Sequence, residues 1–166
     1  MRTRLRVIAL TALVGLSALP VAAVADQVSR DGGDVTYVNS RYGTSARFPA
    51  VAFPEELPAP SNGDGLAWTS PSGAQLAIYG RYNDGNETPK SVIALRAADD
   101  SVTYKASGDR WAVVSGFRDG LIFYERYIFR GDLIHSVSIR YPDSERATYD
   151  RLVGPITNSL RGANAS

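Results

Sequence analysis

Three runs rich in β-branched and aromatic residues follow one another between Trp111 and Tyr141, and they restrict the fold more than any other stretch of the chain. They are Trp111-Ala-Val-Val-Ser-Gly116, Leu121-Ile-Phe-Tyr-Glu-Arg-Tyr-Ile-Phe129 and Leu133-Ile-His-Ser-Val-Ser-Ile-Arg-Tyr141. Gly and Asp bound each run, the pattern of a meander of antiparallel hairpins. In the third run Leu133, His135, Val137, Ile139 and Tyr141 share one face, while Ser136, Ser138 and Arg140 share the other. In the second, Leu121, Phe123, Tyr127 and Phe129 share a face interrupted by Glu125. A three-residue loop, Arg130-Gly131-Asp132, brings the two apolar sets to one side. It pairs Phe129 with Leu133, Tyr127 with His135 and Glu125 with Val137. A two-residue Gly-Asp turn is chemically allowed, but it places Arg126 and Arg130 on the face carrying Val137. Because a one-residue slip moves every side chain to the other face, the three-residue loop is the expected connection. A fold follows from this stretch; an activity does not.

The N-terminus bears on where such a domain works. Met-Arg-Thr-Arg-Leu-Arg is basic, Val7 to about Leu19 is apolar, and Pro20-Val-Ala-Ala-Val-Ala25 ends with small residues at Ala23 and Ala25. This is the pattern of a secretory signal peptide over residues 1–25, cleaved before Asp26. The apolar run falls short of the roughly 20 residues that span a membrane, so no stable anchor is expected after cleavage. The sequence holds no Cys, which excludes a lipobox attachment and disulfides alike. Residues 26–166 are expected to form a single domain in the periplasm or extracellular space, held by its core alone. Losing Arg2, Arg4 and Arg6 takes the formal charge from +1 to −2, because 15 Lys and Arg then face 17 Asp and Glu. So even a balance lacks the basic footprint of a nucleic-acid binder.

Along the remaining chain, residues 26–34 are polar and Gly-containing, a frayed lead-in. Val35–Val38 and Tyr42–Phe48 are short strands, the second stopped by Pro49. Pro49, Pro54, Pro58 and Pro60 make residues 49–64 a long irregular connection. The runs 65–70 and 74–79 flank Pro71-Ser72-Gly73 as a hairpin. Thr88-Pro89 opens a short helix to about Ala98 as N-cap and first helical residue, ended by Asp99-Asp100, and 102–106 returns as a strand. After Pro142, Asp143 or Ser144 caps a final helix. There Tyr149, Leu152, Val153, Ile156 and Leu160 form one apolar stripe, and Gly154-Pro155 should kink or divide it. That helix is expected to lie across the apolar face of the meander.

This order of elements, with Tyr42-Gly43-Thr44-Ser45-Ala46-Arg47-Phe48-Pro49 ahead of an antiparallel sheet, resembles the PsbP/Mog1/DcrB-like group of small domains, several of them exported. Trp111-Ala-Val-Val-Ser-Gly116, Phe123-Tyr124-Glu125 and Tyr141-Pro142 also look like segments of uncharacterised exported bacterial proteins. The resemblance implies an α/β sandwich and an accessory or binding role, with no catalytic residues to carry over. The expected class is therefore α+β: an antiparallel sheet of about six to eight strands, the C-terminal helix on one face, and the short helix on the other or at an edge.

For chemistry the chain offers little. His135 is the single histidine, and the expected register sets Glu125 diagonally across the same face, a pair suited to acid–base work or, less so without Cys, to a metal. The bland reading makes His135 a satisfied core residue. No Gly-x-Ser-x-Gly elbow accompanies Ser115, Ser136 or Ser138, and no Walker loop or Gly-x-Gly-x-x-Gly is present. Asn62-Gly63-Asp64-Gly65 is half a calcium loop with prolines where carboxylates belong, hence a turn. Arg130-Gly131-Asp132 is ordinary turn chemistry that matches an adhesion tripeptide, and Asn86-Glu87-Thr88 is a sequon. Trp68, Tyr79 and Tyr82 are the candidate ligand- or partner-binding aromatics, beside loops. No cofactor and no metal site is expected. The leading expectation is a non-catalytic accessory or binding module for an envelope protein or small ligand, using the 49–64 loop and neighbouring hairpin. The alternatives are a small hydrolase built on His135 and Glu125, and a closed β-barrel around an apolar ligand.

Overall fold

The computed structural model describes residues 25–163. The signal-peptide reading thus falls almost wholly outside the described residues. Among the described residues no helix is long and apolar enough to cross a membrane.

The expected meander is present as β8 (Trp111–Arg118), β9 (Leu121–Arg130) and β10 (Leu133–Pro142). Before it come β1 (Gln27–Asp31), β2 (Asp34–Val38), β3 (Ser45–Pro49), the two-residue β4 (Glu55–Glu56), β5 (Gly65–Thr69), β6 (Gln75–Tyr82), helix α1 (Pro89–Asp99) and β7 (Ser101–Gly108). A 3₁₀ turn (Asp143–Glu145) then leads into helix α2 (Arg146–Asn158). The strands form a seven-stranded antiparallel sheet in the order β4-β5-β6-β10-β9-β8-β7 and a three-stranded sheet β1-β2-β3. The class is α+β, as expected. The large sheet is open, with β4 and β7 at its edges, so the closed-barrel alternative falls.

The register between β9 and β10 differs from the expectation. Arg130 pairs with Leu133, Ile128 with His135, Arg126 with Val137 and Glu125 with Ser138, so the connection is the two-residue turn Gly131-Asp132. Gly131 has φ +55°, the positive value that a hairpin turn demands of its first residue. The cause of the misreading is that β9 is buried on both sides. Ile122 and Ile128 are buried toward one face, Phe123, Tyr127 and Phe129 toward the other. A strand covered twice has no polar side to fix its phase. Arg126 evades burial beside Val137 by extending its guanidinium over Trp111, 5.9 Å from the ring centroid.

One face of the sheet carries the main core. Val137, Ile139 and Tyr141 of β10 and Leu76 and Ile78 of β6 meet Tyr149, Val153 and Ile156 of α2, with Leu160 beyond its end. The small sheet adds Val35, Tyr37, Ala46 and Phe48. Tyr141 stacks on Tyr149 at 5.4 Å and 24°, and its hydroxyl donates to Asp150 Oδ1 at 2.7 Å. The expected stripe is therefore the buried one. Pro155 does not divide α2, because it sits on the exposed side, where the carbonyl it leaves unpaired is open to solvent. Neither Asp143 nor Ser144 caps α2; the 3₁₀ turn intervenes, and Glu145 precedes the helix without a side-chain cap.

On the opposite face α1 covers the β7–β9 side, burying Val92 against Ala112, Val114, Phe123, Tyr127, Phe129 and Ile134. Thr88 caps it as expected: Thr88 Oγ1 accepts from the Ser91 N–H at 3.1 Å, and Ser91 Oγ from the Thr88 N–H at 2.8 Å. The lead-in was expected to fray, yet residues 27–31 form β1. Gly32 and Gly33, at φ +57° and +89°, supply a hairpin turn with both central residues in positive φ, and β1 pairs with β2 at the sheet's exposed edge.

The cover supplied by α2 gives a direct check. Ile156 is 1% exposed, and Ile156→Ala should lower the stability by about 2–5 kcal/mol in urea denaturation.

Candidate functional site

Strand alternation in the observed register sends His135 and Glu125 to opposite faces of the large sheet. His135 pairs with Ile128 and faces the main core, whereas Glu125 pairs with Ser138 and faces α1. They form no acid–base pair, which corrects the basis of the hydrolase alternative. His135 is fully buried. Its Nδ1 lies 2.7 Å from Thr44 Oγ1 and its Nε2 3.0 Å from the Ala163 carbonyl. The carbonyl only accepts, so Nε2 carries the proton and Nδ1 accepts from the threonine hydroxyl. Burial holds this imidazole below its ordinary pKa, and the neutral ring ties the chain beyond α2 to the sheet.

Glu125 anchors a different structure. Its Oε1 accepts from Arg118 Nη1 at 2.9 Å, and its Oε2 meets Arg96 Nε at 2.8 Å and the Tyr127 hydroxyl. Arg118 also grips Asp100 through Nε at 2.7 Å and Nη2 at 2.5 Å. These bonds tie α1 (Arg96) and the residue that ends it (Asp100) to β8 and β9. Burial, and next the Glu125 charge, push the Tyr127 phenol well above its usual range. The Arg118 fork holds the Asp100 carboxyl below its usual range. A buried carboxylate that would be costly alone is thus met on both oxygens.

Beside this network the same sheet face lies uncovered. On β5, β6 and β10 it carries Ala67, Gln75, Ala77, Tyr79, Arg81, Ser136, Ser138 and Arg140, lining a groove of about 490 Å³ with Leu57, Arg96, Arg118, Glu125 and Tyr127. Register explains its shape. Ala67, Ala77, Ser138 and Glu125 stand side by side on β5, β6, β10 and β9, so a row of small side chains forms a floor that ends at the carboxylate. Gln75 and Arg140 pair at one end, joined by Arg140 Nη2 to Gln75 Oε1 at 2.6 Å. Arg81 stands toward the other, paired with Glu87.

The candidate aromatics are not brought together. Trp68 is buried in the main core, 4.8 Å from Phe48 and 5.3 Å from Tyr37 between ring centroids. Tyr79 borders the groove. Tyr82 is half exposed on the opposite face, edge-on to Tyr42 at 5.4 Å. Residues 49–64 fold back on the sheet edge: β4 pairs with β5, Phe53 enters the core, and Leu57 reaches the groove rim. The Asn62–Gly65 turn closes on itself, Asn62 Nδ2 donating to Asp64 Oδ2 at 2.6 Å. Sequence reading missed Arg96, Arg118 and Arg140. The available signal was the alternation Ser136, Ser138, Arg140, a polar side on a strand whose other side is core.

No family model matches the chain, and no curated protein matches it. Among solved structures it is similar to the solution structure of cyanobacterial PsbP (CyanoP) from Synechocystis sp. PCC 6803, at 8% identity and a TM-score of 0.47, covering 89% of this chain and 99% of that one. The sequence resembles the same group. The α+β architecture stands on the strand pairing above, and neither the groove nor the ion network draws on the likeness.

Two outcomes follow from the buried groups. The His135 pKa is depressed from 6.5 in the folded protein, so the unfolded chain binds the extra proton first as pH falls. Its contribution is present above pH 6.5 and declines below it; the stability difference between wild type and His135→Gln, read from urea titrations, should narrow from pH 7.5 to 5. Glu125→Ala leaves Arg96 and Arg118 without their shared carboxylate. Arg118 keeps Asp100, so the loss should be about 3 kcal/mol, the low end for a broken buried pair, with faster amide exchange in α1.

Proposed function

We propose that this protein is an exported, non-catalytic accessory module that binds an envelope protein or small ligand through the open groove on its large sheet. The observation that carries this reading is the polar, concave stretch of β5, β6 and β10, left uncovered where α1 ends, on strands whose other face is buried in the main core. Pockets of a few hundred Å³ with a few convergent polar groups are the usual form of a binding site. The 49–64 segment contributes a rim through Leu57. Support for a binding role over hydrolysis comes from the separation of His135 and Glu125 by the thickness of the sheet. Both side chains are spent on structural partners. The basic, apolar and small-residue order of residues 1–25 supports export.

The test is a photo-crosslinking residue placed at Ser138 in the producing cell, with Leu95, 54% exposed on α1, as the control position. The reading expects an envelope or extracellular product that starts at Asp26 and forms adducts from Ser138 and not from Leu95. An uncleaved cytoplasmic product rejects export, and equal labelling from both positions rejects the groove.

A further inference from the structure

The geometry points to a small ligand bearing a carboxylate or phosphate group, held in the groove by Arg140 together with Ser138. This rests on the groove being the binding surface and specifies its chemistry.

Charge placement carries the inference. Four guanidinium groups line the groove: Arg81, Arg96, Arg118 and Arg140. Three carboxylates answer them, and each is taken. Glu125 is bound by Arg118 and Arg96, Asp100 by Arg118, and Glu87 by Arg81. The surplus cation is Arg140, whose side-chain bond goes to the neutral amide oxygen of Gln75 at 2.6 Å. All 17 Asp and Glu of the chain fall within residues 26–150, inside the described region, and Arg140 forms a salt bridge with none of them. A surplus cation inside a concavity, on a domain of net charge −2 after cleavage, concentrates positive potential where a ligand enters.

The surroundings suit an oxyanion. Ser138 lies two residues from Arg140 on the same strand face, and Ser136 two further on. Ala67 and Ala77 leave the floor beside them low. Across the floor Arg96 engages Glu125 and Tyr127 through Nε, which leaves its two terminal nitrogens as donors on the groove wall. A planar guanidinium binds carboxylate or phosphate oxygens in pairs, and such charge-assisted bonds are stronger than neutral ones. A groove of about 490 Å³ accommodates a small molecule.

Titration of the isotope-labelled full chain by NMR, with succinate, inorganic phosphate and glycerol as separate probes, tests the assignment. Either anion should shift the amides of 75–77 and 136–140, with glycerol inert. Arg140→Gln should weaken binding tenfold or more and Ser138→Ala by a smaller factor, while Arg41→Gln, beside Asp64, leaves it unchanged. The same spectra report whether each variant is folded. Whichever anion binds identifies the group recognised. No shift with either anion up to tens of millimolar, or equal affinity in a folded Arg140→Gln, overturns the proposal. Crosslinking from Ser138 without anion binding would keep the groove as a contact surface and remove its anion preference; the reverse result would keep the anion site and remove the macromolecular contact.

Discussion

The pairing of β9 with β10 across Gly131-Asp132 is the constraint on which the other features depend. It presents Val137, Ile139 and Tyr141 to α2 and, by the same alternation, Glu125 and Tyr127 to α1. A shift of one residue would reverse the face of every side chain in one strand against the other. If β10 turned, His135 would lose Thr44 and the Ala163 carbonyl; if β9 turned instead, Glu125 would enter the apolar core without a cation. The alternative register is excluded by two demands that it cannot meet, a core on one side whose one imidazole is satisfied and a paired carboxylate on the other.

The Glu125 cluster is an orienting device more than a source of stability. Desolvating a carboxylate and two guanidiniums offsets most of their mutual attraction, and such clusters often exceed an apolar replacement in nothing but specificity. Here the specificity concerns α1. Its apolar contribution is small, with Val92 as its buried residue, so hydrophobic packing alone would fix its angle loosely. Arg96 within the helix and Asp100 immediately after it reach β8 and β9 through Arg118 and Glu125. Two ionic attachments at separate points set the helix direction, and with it the wall of the groove.

The sequence announced those elements whose signals are local. Thr88-Pro89 marked α1, Pro71-Ser72-Gly73 marked the β5–β6 hairpin, and the stripe from Tyr149 to Leu160 marked the face of α2. Failures arose where the answer depends on what lies on both sides of a strand. β9 is apolar in both phases, so its periodicity admitted either loop length and the His135–Glu125 pairing came out on the wrong side. The Gly32-Gly33 turn was overlooked because β1 is exposed throughout and carries no alternation. The groove was half legible: Ser136, Ser138 and Arg140 declared a polar face, but Arg96, Arg118 and Gln75 join them only through tertiary pairing.

Helix width explains why a groove exists at that position. A helix with its side chains is about 10–12 Å across, and strands lie about 4.8 Å apart, so α1 covers two or three strands of a seven-stranded sheet. It sits over β7 and β8 with a reach to β9. The far strands must therefore present water-compatible side chains on that face, and Gln75, Ser136 and Ser138 meet the requirement. Solvation alone is indifferent to the sign of charge. Glu or Asp would serve as well as Arg, and in a domain richer in acids than bases they would be the more common choice. Arg81 and Arg140 instead put the same sign at both ends of the open stretch, and only Arg81 has a carboxylate of its own chain. Exposure accounts for the polarity of this face, and the unbalanced sign is what the proposed anion site would account for.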